Sequence, residues 1–192
     1  GKGYIKLSSS EEITGTSTIN IVVTDSNEYV NSILVNINVK QTTESVNKIL
    51  TTDNQIINLT DNIDPNEFVR AYNSTEPLSL TTSDDEKIDV DAEKIKSISL
   101  IRCNPTIRTI NTSIDNKTGL LASCTNLEEC DLHALHNIID LGNCFLMGCS
   151  SLKSFDLIPL NQVRNIGAHF MAQCVSLTTL DRTPLINLKS IG

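Results

Sequence analysis

The arrangement Cys124-x5-Cys130-x2-His133-x2-His136 carries the atoms of a zinc site, two thiols and two imidazoles. Asp131, Asp156 and Asp181 recur at one spacing. Like charges stacked at strand spacing repel unless a cation such as Ca²⁺, or a backbone N–H in the following turn, offsets them. Six cysteines pose a third chemistry, a disulfide framework. Asn58, Asn73, Asn111 and Asn116 each open a glycan sequon, which a chain this rich in Asn, Ser and Thr generates by chance. The acidic run Asp84–Glu93 lacks the Gly and the spacing of an EF-hand loop and reads as a solvated edge or turn. Catalysis finds no support: there is neither a phosphate-binding Gly loop nor a nucleophile elbow, so the chain does not read as an enzyme.

The elements that position these residues are set by an internal repeat. Cys124, Cys149 and Cys174 are spaced by 25 and 25. Aligned on them, Leu127, Leu152 and Leu177 share a column, as do Cys130, Phe155 and Leu180, then Leu135, Leu160 and Leu185. Ile138, Val163 and Leu188 follow, then Leu141, Ile166 and Ile191, and finally Gly142, Gly167 and Gly192. Apolar positions that return once per coil predict stacked coils with a continuous core. Gly after Ile or Leu predicts a tight turn with positive φ. Pro159 and Pro184 match Ala134 and belong to the turn leaving the strand, while Phe145 to Cys149 spans a single helical or 3₁₀ turn.

The same columns weaken the zinc reading. Cys124 shares its column with two other cysteines, Cys130 stands in a column otherwise Phe and Leu, His133 aligns with Ile158 and Thr183, and His136 aligns with Asn161 and Ile186. Free Cys packs as a small hydrophobe, so buried thiols and surface imidazoles are expected, with no metal and no cofactor. Cysteines stacked about 5 Å apart with parallel side chains bridge poorly. Cys103, Cys130 and Cys144 remain as candidates for a disulfide in an oxidising compartment. For the aspartates, capping of the next turn is favoured over a cation.

Ile166-Gly167, Phe170, Cys174, Leu177 and Leu180, and likewise Leu141-Gly142, Phe145, Cys149, Leu152, Phe155 and Leu157, resemble the units of BspA-like leucine-rich repeats across residues 120–192. Arg182 departs from the pattern where Leu132 and Leu157 stand, and Cys130 replaces a larger apolar residue. The resemblance implies a curved β-solenoid on a secreted or cell-surface protein that binds macromolecules; it implies no chemistry. Upstream, Ile95, Ile98 and Leu100 repeat the spacing of Leu127, Cys130 and Leu132, displaced by 32, which makes residues 78–119 a cap. At the other end an apolar stack is left open at Gly192, so a continuing chain, a second copy or a structural neighbour is expected to cover it.

The first residues read differently. Ile19, Ile21 and Val23 alternate with polar residues, Asp25–Glu28 offers a turn, and Ile33, Val35, Ile37 and Val39 alternate again, which predicts an antiparallel hairpin. The run resembles the last two strands of an immunoglobulin-like or cadherin-like sandwich. Residues 42–77 read as a linker with a short helix near Asp64–Tyr72, where Pro65 is a fitting first helical residue. The expected architecture is therefore all-β. It comprises part of an immunoglobulin-like β-sandwich over 1–41, a linker, the cap, and a leucine-rich-repeat solenoid of 25-residue coils over 120–192 that continues beyond the last residue.

Composition bounds the function. The chain has 192 residues, a formal net charge of −8, 23 Ile and 59 residues that are Asn, Ser or Thr. Residues 61–96 hold ten acids and four bases, so six of the eight net negative charges lie before the repeats. An acidic balance excludes a nucleic-acid grip, and no apolar run is long enough to span a membrane. The expected function is non-catalytic binding or adhesion on an extracellular or cell surface. A protein or glycan ligand would be held by the strand face at Glu129, Asp131, His133, Ser154, Asp156, Ile158, Thr179, Asp181 and Thr183. The alternative is a structural or host-recognition component of a virion.

Overall fold

The computed structural model describes the backbone of Gly15–Thr24 and Val30–Val39 and the whole of residues 47–192. The chain divides into two units, Gly1–Glu44 and Ser45–Gly192. In the first, β1 (Gly15–Thr24) and β2 (Val30–Val39) pair antiparallel along their full length, with Ile19 opposite Val35 and Ile21 opposite Ile33. Period-two runs of β-branched residues favour that pairing. The expected turn at Asp25–Glu28 lies outside the described residues.

The second unit is built from short strands. β3 (Lys48–Thr51) and β4 (Ile56–Asn58) pair antiparallel. A 3₁₀ turn at Pro65–Phe68 follows, its first N–H groups met by Asp64, whose carboxylate accepts from Asn66 N at 2.8 Å. β5 (Val69–Ala71) continues directly, so the helix expected near Asp64–Tyr72 is one turn long before β-branched Val69 turns extended. β6 (Leu78–Thr81) and β7 (Lys87–Val90) form a hairpin, and a 3₁₀ turn at Ala92–Lys94 leads into β8 (Ile95–Ser99). β9 (Thr118–Leu120) pairs antiparallel with β5. β10 (Glu129–Asp131) lies parallel to β8 with Glu129 opposite Ser97, the offset of 32 that the spacing predicts. Further 3₁₀ turns occupy His133–Asn137 and Ile158–Leu160, and β11 (Asn165–Ile166) pairs parallel with β12 (Ser190–Ile191).

This overturns the expected fold class. Among the described residues there are five separate small sheets, one of four strands in the order β10-β8-β3-β4 and four of two strands, mixed parallel and antiparallel. No continuous solenoid sheet and no closed barrel runs through them, and the described residues of the first unit form the two-stranded sheet β1–β2 and not an immunoglobulin-like sandwich. What holds is a chain poor in helix and rich in short strands. The reason is local. Asp156 and Asp181 each accept the backbone N–H two residues on, from Ile158 at 2.8 Å and Thr183 at 2.9 Å. Asp131 accepts the same bond from His133 N and still pairs in β10, so the next column decides: Ala134 donates its backbone N–H to the Leu100 carbonyl at 2.7 Å, whereas Pro159 and Pro184 at the matching positions have no N–H to donate. A parallel ladder therefore forms at β8–β10 and lapses at 154–156.

Two other expectations change. Phe145–Cys149 is a turn with Leu146 and Gly148 at φ of +53° and +79°, not a 3₁₀ helix. The stretch expected as a linker contributes β3, β4 and β5, because Ile49, Leu59, Ile63 and Phe68 are fully buried in the same core as Leu127, Leu152 and Phe145. Asn47 anchors this stretch from the inside. Its Nδ2 donates to the carbonyls of Thr60 (2.8 Å) and Arg102 (2.6 Å), and its Oδ1 accepts from Ile101 N and Arg102 N. Phe145 centres the later core, stacked on Phe170 at 5.4 Å and edge-on to Phe155 at 5.7 Å.

Candidate functional site

The outward face of the four-stranded sheet is a groove of about 470 Å³, within the range of roughly 300–1,000 Å³ common for ligand sites. Strand alternation decides what lines it. Ile49 and Ile98 point into the core, so their neighbours point out. Register then sets two rows across the sheet: Lys48, Ser99 and Asp131 in one, and Leu50, Ser97 and Glu129 in the other. Ile56 stands opposite Leu50 and is 65% exposed. Beyond β10, Ser154 and Asp156 complete the lining. The groove exists because two small serines sit mid-sheet between larger side chains.

Four of the nine residues expected to bind are thereby brought together: Glu129, Asp131, Ser154 and Asp156. His133 is tied to the lining through Asp131, its Nδ1 2.6 Å from the carboxylate and its backbone N–H donating to the same oxygen at 3.1 Å. The hydrogen bond and charge of Asp131, with the charge of Asp156 adding, hold the His133 pKa above its ordinary value. Ile158 opens the turn Ile158–Leu160, next to the turn that His133 opens, and is 57% exposed. Thr179, Asp181 and Thr183 are exposed and lie outside the groove; the backbone and side chain of Thr183 hold the Asp181 carboxyl below its usual value.

The aspartate column thus caps turns, each carboxylate accepting the N–H two residues later. The thiols face inward. Cys149 Sγ donates to the Leu121 carbonyl at 3.2 Å and Cys174 Sγ to Leu146 at 3.1 Å. Burial pushes the Cys124 thiol up to about 12, against a smaller opposing pull from Arg70, and drives Cys130 and Cys149 well above their ordinary value. Thiols so placed form little thiolate at neutral pH and are poor nucleophiles. All six cysteines are free, Cys103, Cys130 and Cys144 included. His136 turns its Nδ1 to the His133 carbonyl at 3.0 Å, away from Cys124 in the core.

Sequence reasoning missed Lys48, Leu50 and Ile56, which sit in the stretch read as linker. The signal for Ser97 and Ser99 was present: the offset of 32 aligns them with Glu129 and Asp131. Compared with protein-family models, curated proteins and solved structures, the chain matches none.

Proposed function

We propose that this chain is a non-catalytic binding module that holds a macromolecular partner against the outward face of the sheet β10-β8-β3-β4. One observation carries the reading: Glu129, Asp131, Ser154 and Asp156, picked out by sequence columns alone, line a single groove with exposed Ile56 at its far side. Exposed aliphatic surface beside carboxylates and hydroxyls offers both burial and orientation to a ligand. The resemblance of residues 120–192 to repeats of surface proteins supports an extracellular setting for it.

The test is a panel of defined basic, acidic and neutral peptides and oligosaccharides, probed with the folded chain and with a Glu129→Lys, Asp131→Lys, Asp156→Lys variant whose circular dichroism matches the parent. A ligand held by the parent and released by the variant supports the reading. Binding that survives the triple charge reversal, or no binding across the whole panel, overturns it.

A further inference from the structure

The groove is not chemically uniform, and its gradient says what shape of ligand fits. Leu50 and Ile56 form one wall on β3 and β4, and Glu129, Asp131 and Asp156 form the opposite wall on and beyond β10. Ser97 and Ser99 on β8 make the floor between them. Neighbouring strands are about 4.8 Å apart, and same-face residues of one strand about 7 Å apart. The floor is therefore one strand wide, with an aliphatic side and an acidic side.

An extended polypeptide laid along that floor directs successive side chains to opposite sides. Every second side chain then meets the aliphatic wall and the others meet the carboxylates. Lys48, at the β3 end of the Ser99 row, repels cations from the aliphatic side and leaves β10 as the side for them. Glu128 is already paired with Lys153 at 2.5 Å, whereas Glu129 makes no ion pair among the described residues. We propose that the groove receives an extended polypeptide segment in which basic and aliphatic side chains alternate. The inference rests on the binding function proposed above and adds the class of partner to it.

Two terminally capped lysine–isoleucine peptides of identical composition test it, one strictly alternating and one with the lysines and isoleucines in separate blocks. Affinity is read by fluorescence anisotropy with the full chain at low and high salt. The alternating peptide is expected to bind about tenfold tighter than the blocked one, and to weaken with salt as exposed ion pairs do. Ser97→Leu raises the floor and should remove that preference. Glu129→Gln with Asp156→Asn, which keeps side-chain shape and the Ile158 cap, should reduce affinity for the alternating peptide several-fold even where Ser97→Leu fails to fold.

Equal affinity for the two peptides, or a preference untouched by Glu129→Gln with Asp156→Asn, overturns the inference. So does a neutral oligosaccharide that binds and is displaced by the groove variants while neither peptide binds; that result leaves the binding function standing and replaces its partner class.

Discussion

Gly167 donates its backbone N–H to the Gly142 carbonyl at 2.7 Å, and a methyl group on its Cα would stand 2.6 Å from that same oxygen. Gly192 repeats the approach one repeat later, with its would-be methyl 2.8 Å from Ala168 N and 3.1 Å from Gly167 C. The shared glycine column is thus set by backbone crossing closely over backbone. Positive φ, which the sequence pattern suggested for the column, occurs within it at Gly142 alone, at +70°.

Gly167→Ala should therefore destabilise the second unit by about 1–3 kcal/mol, the usual cost of overpacking a site with little room to yield. Gly142→Ala should cost more. Its methyl would meet Thr112 Oγ1 at 2.5 Å, and a left-handed non-glycine residue adds about 1–2 kcal/mol. Urea midpoints of the two variants check both the size and the order; a Gly167→Ala variant as stable as the parent would remove the close-approach argument.

His169 offers the opposite experiment. It is exposed and sits at φ +62°, in the left-handed region that glycine adopts freely. His169→Gly should raise stability by about 0.5–1 kcal/mol, the relief of left-handed strain less the entropy that glycine loses on folding. His169→Val, β-branched at the same φ, should lower it. Thermal melts of the pair give the sign directly.

Asn47 satisfies four backbone groups from positions 60, 101 and 102 while fully buried. Asn47→Leu strands those donors and acceptors and should cost several kcal/mol, at about 1–3 for each buried group left unmet. Asn47→Asp keeps the shape but turns an oxygen toward the Thr60 and Arg102 carbonyls. Its carboxyl would be held above the unfolded value of about 3.9. A raised folded pKa means the native state binds the extra proton, so stability is present at low pH and is lost as pH rises. Urea unfolding of Asn47→Asp at about pH 4 and about pH 7 should show the greater stability at the acid end.

The thiols predict a labelling pattern. Cys124, Cys144 and Cys149 are fully buried, while Cys103 and Cys130 are half-buried. A membrane-impermeant thiol reagent should leave the first three unmodified in the native chain and modify all six once urea unfolds it. Mass spectrometry of the labelled peptides reads this; fewer than six modified thiols in urea without reductant would reveal a disulfide.

What was legible in the sequence was spacing, and what was not was the path between spaced residues. The offset of 32 placed Ser97 opposite Glu129, and columns of Leu and Phe identified core positions that are buried together. Columns do not report which backbone groups pair, so a short aspartate turn at 156 or 181, repeated in register, looks like a strand that continues. The linker reading failed for a related reason. Residues 47–63 contain Ile, Leu and Asn in no sustained period, and Asn47, a polar residue, owes its burial to partners 13, 54 and 55 positions away.

His133 ties stability and binding to one titration. Its Nδ1 lies 2.6 Å from Asp131, which lines the groove, and the hydrogen bond to Asp131, reinforced by the charges of Asp131 and Asp156, raises its pKa. A raised histidine pKa contributes stability that is fully present below the unfolded value of about 6.5 and is lost as pH rises through the folded value. The groove responds in the opposite sense. Protonated His133 offsets the Asp131 charge, so a basic ligand should bind more weakly on the acid side of the same window. His133→Gln removes both effects and leaves Asp131 free to accept from the backbone N–H at 133. Parallel measurements from about pH 5 to about pH 9 are expected to show the parent losing stability and gaining affinity for the alternating basic peptide as pH rises, with a flatter course for His133→Gln in each. Identical pH profiles for parent and variant would detach His133 from the groove.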